Sequence, residues 1–255
     1  MQSFFGTSRP IPPALCALLM VTALAAASCK RGGETAETPV KPQPQAAQQT
    51  AQPAAPGTPS ILMRPIFENE RVRALEVAWD PKAAAPAVKQ EGKETLGILG
   101  VVLKGGTFEY TDAGGAKTRH ERKPGDLLWQ PGNSRIEARE NVGETRINVV
   151  QVRLKKAPPT KEYSGPLPGV KPAMNNPAFA AFDYTLAPGS KFPLHKYAPR
   201  AWVILEGGAM RSTGKDGKVQ FANLAPGQFL WLAGQEQELE NIAKTRLRLI
   251  SIELK

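Results

Sequence analysis

The chain has 255 residues, 41% of them apolar and 22% charged, with a formal net charge of +10; that is enough apolar material to bury one or two cores. Both cysteines, Cys16 and Cys29, lie near the amino terminus, which excludes a disulfide framework or a cysteine-based metal site from the rest of the chain. Lys and Arg are dispersed rather than gathered in a block interleaved with aromatics, so no nucleic-acid partner is expected.

Residues 1–9 carry one positive charge and no acid, and Ile11 to Ser28 run apolar into small residues. This is the pattern of a secretory signal peptide over 1–28, too short and too rich in proline at its start (Pro10, Pro12, Pro13) for a membrane span. The stretch Leu24-Ala-Ala-Ala-Ser-Cys29 resembles a bacterial lipobox, with Ala26 where that motif usually has Leu. The resemblance implies an exported lipoprotein, anchored through a diacylated Cys29 to a membrane surface and facing the periplasm or the cell exterior. Residues 29–60 are Pro, Ala, Gln, Thr and Gly with almost no large apolar side chain, a composition that cannot offset the entropy of ordering and reads as a disordered tether.

Beyond residue 60 the chain repeats itself. Arg71–Pro81 reads as a strand and has its counterpart in Phe179–Gly189; Ile98–Asp112 matches Ala201–Gly214, each broken by a glycine pair, Gly105-Gly106 or Gly207-Gly208. Short hairpin turns follow at Ala113–Thr118 and Lys215–Gln220. Then come Lys123-Pro-Gly-Asp-Leu-Leu-Trp129 and Ala225-Pro-Gly-Gln-Phe-Leu-Trp231, a Pro-Gly turn feeding a strand in both copies. The halves close with Asn141–Lys155 and Asn241–Lys255, whose apolar residues fall on both faces, as in a wall buried on two sides. Helical periodicity is nearly absent. The predicted fold is all-β: two β-sandwich or jelly-roll barrels, over 61–156 and 178–255, joined by a Pro- and Gly-rich connection over 157–177.

The order of strand, Gly-Gly bend, hairpin, Pro-Gly-x-x-x-Trp and closing Asn resembles the cupin superfamily, and two copies make a bicupin. Gly125-x5-Pro131 and Asn141-Val-Gly carry the resemblance in the first half, and Gly189-x5-His195 in the second. In metal-binding members three His and one Glu hold a divalent ion inside the barrel. Here the second His position is Tyr197, the Glu position falls on Ala201 or Trp202, and the third His position is Gln237 in one half and Glu137 in the other. Arg200 nearby would repel a cation. The resemblance therefore implies the fold without its metal signature, and no cofactor is expected; a divalent metal would have His195 as its one imidazole.

The ligand-pocket candidates are His195, Tyr197, Arg200, Gln237 and Glu137. His120, near the first hairpin, reads as exposed. Glu236, Glu238 and Glu240 alternate along a strand and read as a solvated edge rather than an acid–base pair. Trp79, Trp129, Trp202 and Trp231 read as core. No Walker loop, dinucleotide fingerprint or nucleophile elbow is present. Two functions remain: a non-catalytic module that binds a small ligand or a protein, with a homodimer as one form it could take, or a metal-dependent cupin enzyme of isomerase, lyase or dioxygenase type around His195.

Overall fold

Strands account for all the regular structure of the described residues in a computed structural model of the chain. Those residues are 58–89, 96–132, 135–155, 167, 170 and 172–255. The leader, Cys29, nearly all of the tether and most of the connection lie outside them. No helix among the described residues is long and apolar enough to cross a membrane.

The first half holds β1 (Ile61–Glu68), β2 (Val72–Trp79), β3 (Ala84–Ala85), β4 (Val88–Lys89), β5 (Gly97–Lys104), β6 (Gly106–Thr111), β7 (Lys117–Arg122), β8 (Leu127–Pro131), β9 (Arg135–Ile136), β10 (Ala138–Asn141) and β11 (Ile147–Leu154). The second half holds β12 (Met174–Asn175), β13 (Phe179–Leu186), β14 (Lys191–Lys196), β15 (Arg200–Glu206), β16 (Gly208–Gly214), β17 (Val219–Leu224), β18 (Phe229–Leu232), β19 (Glu236–Asn241) and β20 (Leu247–Leu254). Each half is a barrel of two antiparallel sheets. The order β1-β2-β11-β5-β8 faces β3-β10-β6-β7, and β12-β13-β20-β15-β18 faces β14-β19-β16-β17. All nine strands of the second half therefore have a counterpart in the first, as the repeat predicts, and the short β4–β9 pair is an addition of the first half among the described residues.

Local chemistry explains the corners. Gly125 and Gly227 have φ of 95° and 82°, a region open to glycine and costly for other residues. Each donates its N–H to the strand beside which the next one will lie, Gly125 to Val102 O of β5 and Gly227 to Ile204 O of β15, both at 2.8 Å. The glycine pairs mark where the chain leaves the five-stranded sheet for the four-stranded one. A Cβ on Gly105 would strike the Arg122 carbonyl, and one on Gly207 the Leu224 carbonyl.

The closing asparagines are fully buried clamps. The Asn141 amide donates to Trp79 O (3.1 Å) and Thr145 O (2.8 Å), while its Oδ1 accepts from Gly143 N (3.1 Å). Asn241 repeats this with Leu186 O (2.9 Å), Thr245 O (2.9 Å) and Ala243 N (3.0 Å). They tie β10 or β19 to the far end of β2 or β13, so this part of the resemblance is a structural device.

Alternation along β11 and β20 sends one set of residues into each barrel and the other set between the barrels. Val150, Val152, Leu154, Ile250, Ile252 and Leu254 form, with Val101 and Val203, one continuous core between the five-stranded sheets. Trp129 meets Phe179 edge-on at 4.9 Å, and Phe67 of β1 lies 5.3 Å from Phe229 and 6.2 Å from Trp231. Leu205 packs toward Gly125 and Leu103 toward Gly227, so the contact is reciprocal. Residues 54–255 form one compact unit, as burial of this many large apolar side chains at about 1.5–3 kcal/mol each would dictate.

One expectation is corrected. Glu236, Glu238 and Glu240 do not lie on an edge: β19 is hydrogen-bonded between β14 and β16. Their carboxylates form the outer face of that strand and are paired with bases, Glu236 with Lys215 (3.3 Å), Glu238 with Lys191 (3.4 Å) and Glu240 with Lys191 and Arg211.

Candidate functional site

The two barrel interiors differ, although the strands around them correspond. In the first barrel the inward residues of β5 are Ile98 and Gly100. At the same places on β15, 102 residues on, stand Arg200 and Trp202. Gly100 adds no side chain, whereas the Trp202 indole and Arg200 are buried within the second barrel. Leu167, from the connection, is buried in the same second core. The consequence is a cavity of 390 Å³ in the first barrel and one of only 10 Å³ in the second.

The first cavity is built by alternation. On β6, Phe108 and Tyr110 face inward while Glu109 faces out to Lys117 (2.7 Å) and Arg119 (2.8 Å). On β7 the inward residues are His120 and Arg122, and on β10 Arg139. The floor and far wall come from Trp79, Leu128, Val149 and Gln151. Rings run along one wall: Trp79 to Phe108 at 5.2 Å, Phe108 to Tyr110 at 6.0 Å and Tyr110 to His120 at 5.4 Å. The Arg139 guanidinium lies 5.0 Å from the Trp79 ring centroid, a cation–π contact. Burial pushes its pKa down, opposed by Tyr110, to which it is hydrogen-bonded.

The second interior holds four of the five pocket candidates. His195 on β14 is paired directly with Gln237 on β19. The Gln237 Oε1 accepts from Gln235 Nε2 at 2.6 Å, and the His195 ring meets Tyr197 edge-on at 4.8 Å. Arg200 is wholly buried, with its guanidinium 3.9 Å from the Tyr197 centroid and 5.1 Å from that of Trp202. Its Nη1 donates to Ala198 O at 3.3 Å. Glu253 stands opposite Arg200 on the neighbouring strand, yet the two form no ion pair among the described residues. Burial pushes Glu253 up to about 7, against the pull of Arg200, and pushes Arg200 down to about 10. Among the described residues, Arg200 Nε and Nη2, Glu253 Oε2 and the Tyr197 hydroxyl have no hydrogen-bond partner. This is a costly polar core rather than a vestibule.

The structure thus brings His195, Tyr197, Arg200 and Gln237 together and puts Glu137 apart from them, at the exposed rim of the first cavity. His120 is exposed as expected, and it also lines that cavity. Sequence reasoning missed Arg122, Arg139 and Gln151. A signal for the open barrel was present, since the spacing of 102 sets Gly100 against Trp202.

No group of three or more His, Cys, Asp or Glu side chains among the described residues is placed so that it could hold a metal ion. Around His195 the neighbours are a phenol, an amide and a guanidinium, a set that does not fit a divalent cation.

A scan against models of known protein families finds no match, and a search of curated proteins finds none either. Among solved structures, AerE from Microcystis aeruginosa is similar at 14% identity with a TM-score of 0.54, over 76% of this chain and 98% of that one. A cupin 2 conserved barrel domain protein from Leptotrichia buccalis is similar at 13% identity and a TM-score of 0.49, over 81% and 92%. A mutant of Bacillus subtilis oxalate decarboxylase OxdC is similar at 13% identity and 0.49, over 72% and 69%. The alignment with AerE is too long for one barrel and so spans both. With the strand order, it makes the fold that of two jelly-roll barrels in tandem.

Proposed function

We propose that the chain is a binding module in which the first barrel holds a small ligand and the second is a closed structural partner. The observation that supports this most is the cavity of 390 Å³ in one barrel against 10 Å³ in the other; the larger value lies within the usual range of about 300–1,000 Å³ for small-molecule sites. A non-catalytic role is favoured because the inward groups of the first barrel are two arginines, glutamines and rings, with His120 and Glu137 exposed at its mouth. The lipobox-like stretch ending at Cys29 and the tether after it support display of this module from a membrane surface in the cell envelope.

The test uses N-phenyl-1-naphthylamine, a neutral dye that brightens in apolar surroundings, with the full-length chain. The dye should bind at one site per chain. Gly100→Trp, which sets an indole where the second barrel has one, should abolish binding while the circular dichroism spectrum stays that of the parent. Gly100→Leu should weaken it and guards against misfolding of the larger variant. Undiminished binding in both folded variants would remove the first barrel as the site.

A further inference from the structure

We infer that the ligand of the first barrel is a small organic anion, a carboxylate above all, carrying a flat apolar body; this rests on the binding reading just given. The inward charges of that barrel are unbalanced. Arg122 and Arg139 both line the cavity, and the carboxylate that lines it with them, Glu137, is exposed at the rim. Neither arginine forms an ion pair among the described residues, and the Nε of each is buried without a hydrogen-bond partner. The same strands do supply an acid on their outer face, where Glu109 takes both Lys117 and Arg119. On β6, β7 and β10 the outward bases are therefore paired with an acid, whereas among the described residues the inward ones, Arg122 and Arg139, are not.

A desolvated guanidinium without a counter-charge is unfavourable, and its planar fork matches the two oxygens of a carboxylate. Arg139 is already positioned for that contact. It is held against the Trp79 ring at 5.0 Å and hydrogen-bonded to Tyr110, so little side-chain freedom remains to be lost on binding. The wall from Trp79 through Phe108 and Tyr110 to His120 offers ring faces and edges to an apolar body, and Gln151 is a neutral hydrogen-bonding group on the far wall. In the second barrel a guanidinium and an indole of the chain itself, Arg200 and Trp202, are buried in the interior.

The inference is tested by calorimetry on the full-length chain with 2-naphthoate and its neutral near-isostere 2-naphthamide. Naphthoate should bind at least about tenfold more tightly, as expected for a charge-assisted bond, and should weaken with salt. In Arg139→Gln and in Arg122→Gln the preference should shrink, and in the double variant it should vanish while naphthamide affinity stays within about threefold, which shows that the cavity is intact. Arg139→Lys, which keeps the charge, should retain part of the preference. Equal affinity for the two compounds, with both lost in Gly100→Trp, overturns the anion and leaves the cavity as a binding site. Failure of both compounds to bind overturns the inference together with the reading it rests on.

Discussion

Replacing Glu253 by glutamine should flatten the pH dependence of stability above pH 5. The carboxyl is 1% exposed and ionises at about 7 in the folded chain against 4.5 as an ordinary value. Burial is the main cause, and Arg200 across the strand offsets only part of it. A folded pKa above the unfolded one means that the contribution is fully present below pH 4.5. It is lost as pH rises through 7. Between these limits the loss is about 1.4 kcal/mol per pH unit, about 3 kcal/mol in all. The other carboxylates with resolved shifts do not interfere in this window. Asp80, held down by Ser60 and Arg146, and Glu206, held down by Arg246, give up their stabilisation only as pH falls below the usual carboxylate range. Urea unfolding of the parent and of Glu253→Gln at pH 5, 6, 7 and 8 measures the difference directly. The parent should lose stability across this range and the variant should not, so that the variant is the more stable protein at pH 8. Parallel slopes would refute the buried-carboxyl account and imply that Glu253 is solvated or paired in the folded chain.

Three further outcomes follow from the same structure. Asn141→Ala should cost about 3 kcal/mol, because buried carbonyls at Trp79 and Thr145 lose their donor; a urea midpoint close to that of the parent would contradict the clamp. Trp202→Ala should cost about 3–5 kcal/mol and create a cavity in the second barrel, detectable as a second site for the neutral dye. Cys29→Ser, expressed with its own leader, should move the chain from the membrane fraction to the soluble one and remove the acyl mass from its amino terminus.

Turns were legible in the sequence because their chemistry is local, whereas the clamps made by Asn141 and Asn241 were not, since they reach 62 and 55 residues back along the chain. Pro124-Gly125 and Pro226-Gly227 specify a turn within four residues, and the glycine pairs specify the corner they make. The two-sided apolar pattern of Ile147–Leu154 and Leu247–Leu254 announced a wall buried on both faces. The pattern could not say that one face would meet a sister barrel. The candidate site was half legible. His195, Tyr197, Arg200 and Gln237 come together because β14 pairs with β19 and Arg200 opens β15 with its guanidinium against the Tyr197 ring. Their being sealed was not legible, because it depends on Leu167 arriving from the connection and on Trp202 filling the interior.

What the sequence by itself determined was the duplicated jelly roll, since strand alternation and turn residues act over a few positions and both halves carry them alike. What only the tertiary structure decided was which barrel has room and what charge lines it. Arg122 and Arg139 look like ordinary surface bases in the chain, on strands whose other face is solvated. Closure of β6, β7 and β10 against β5 and β11 turns both inward, beside Gly100, where no side chain fills the space. A cavity is a property of what several distant strands fail to fill together, and no local stretch of sequence contains it.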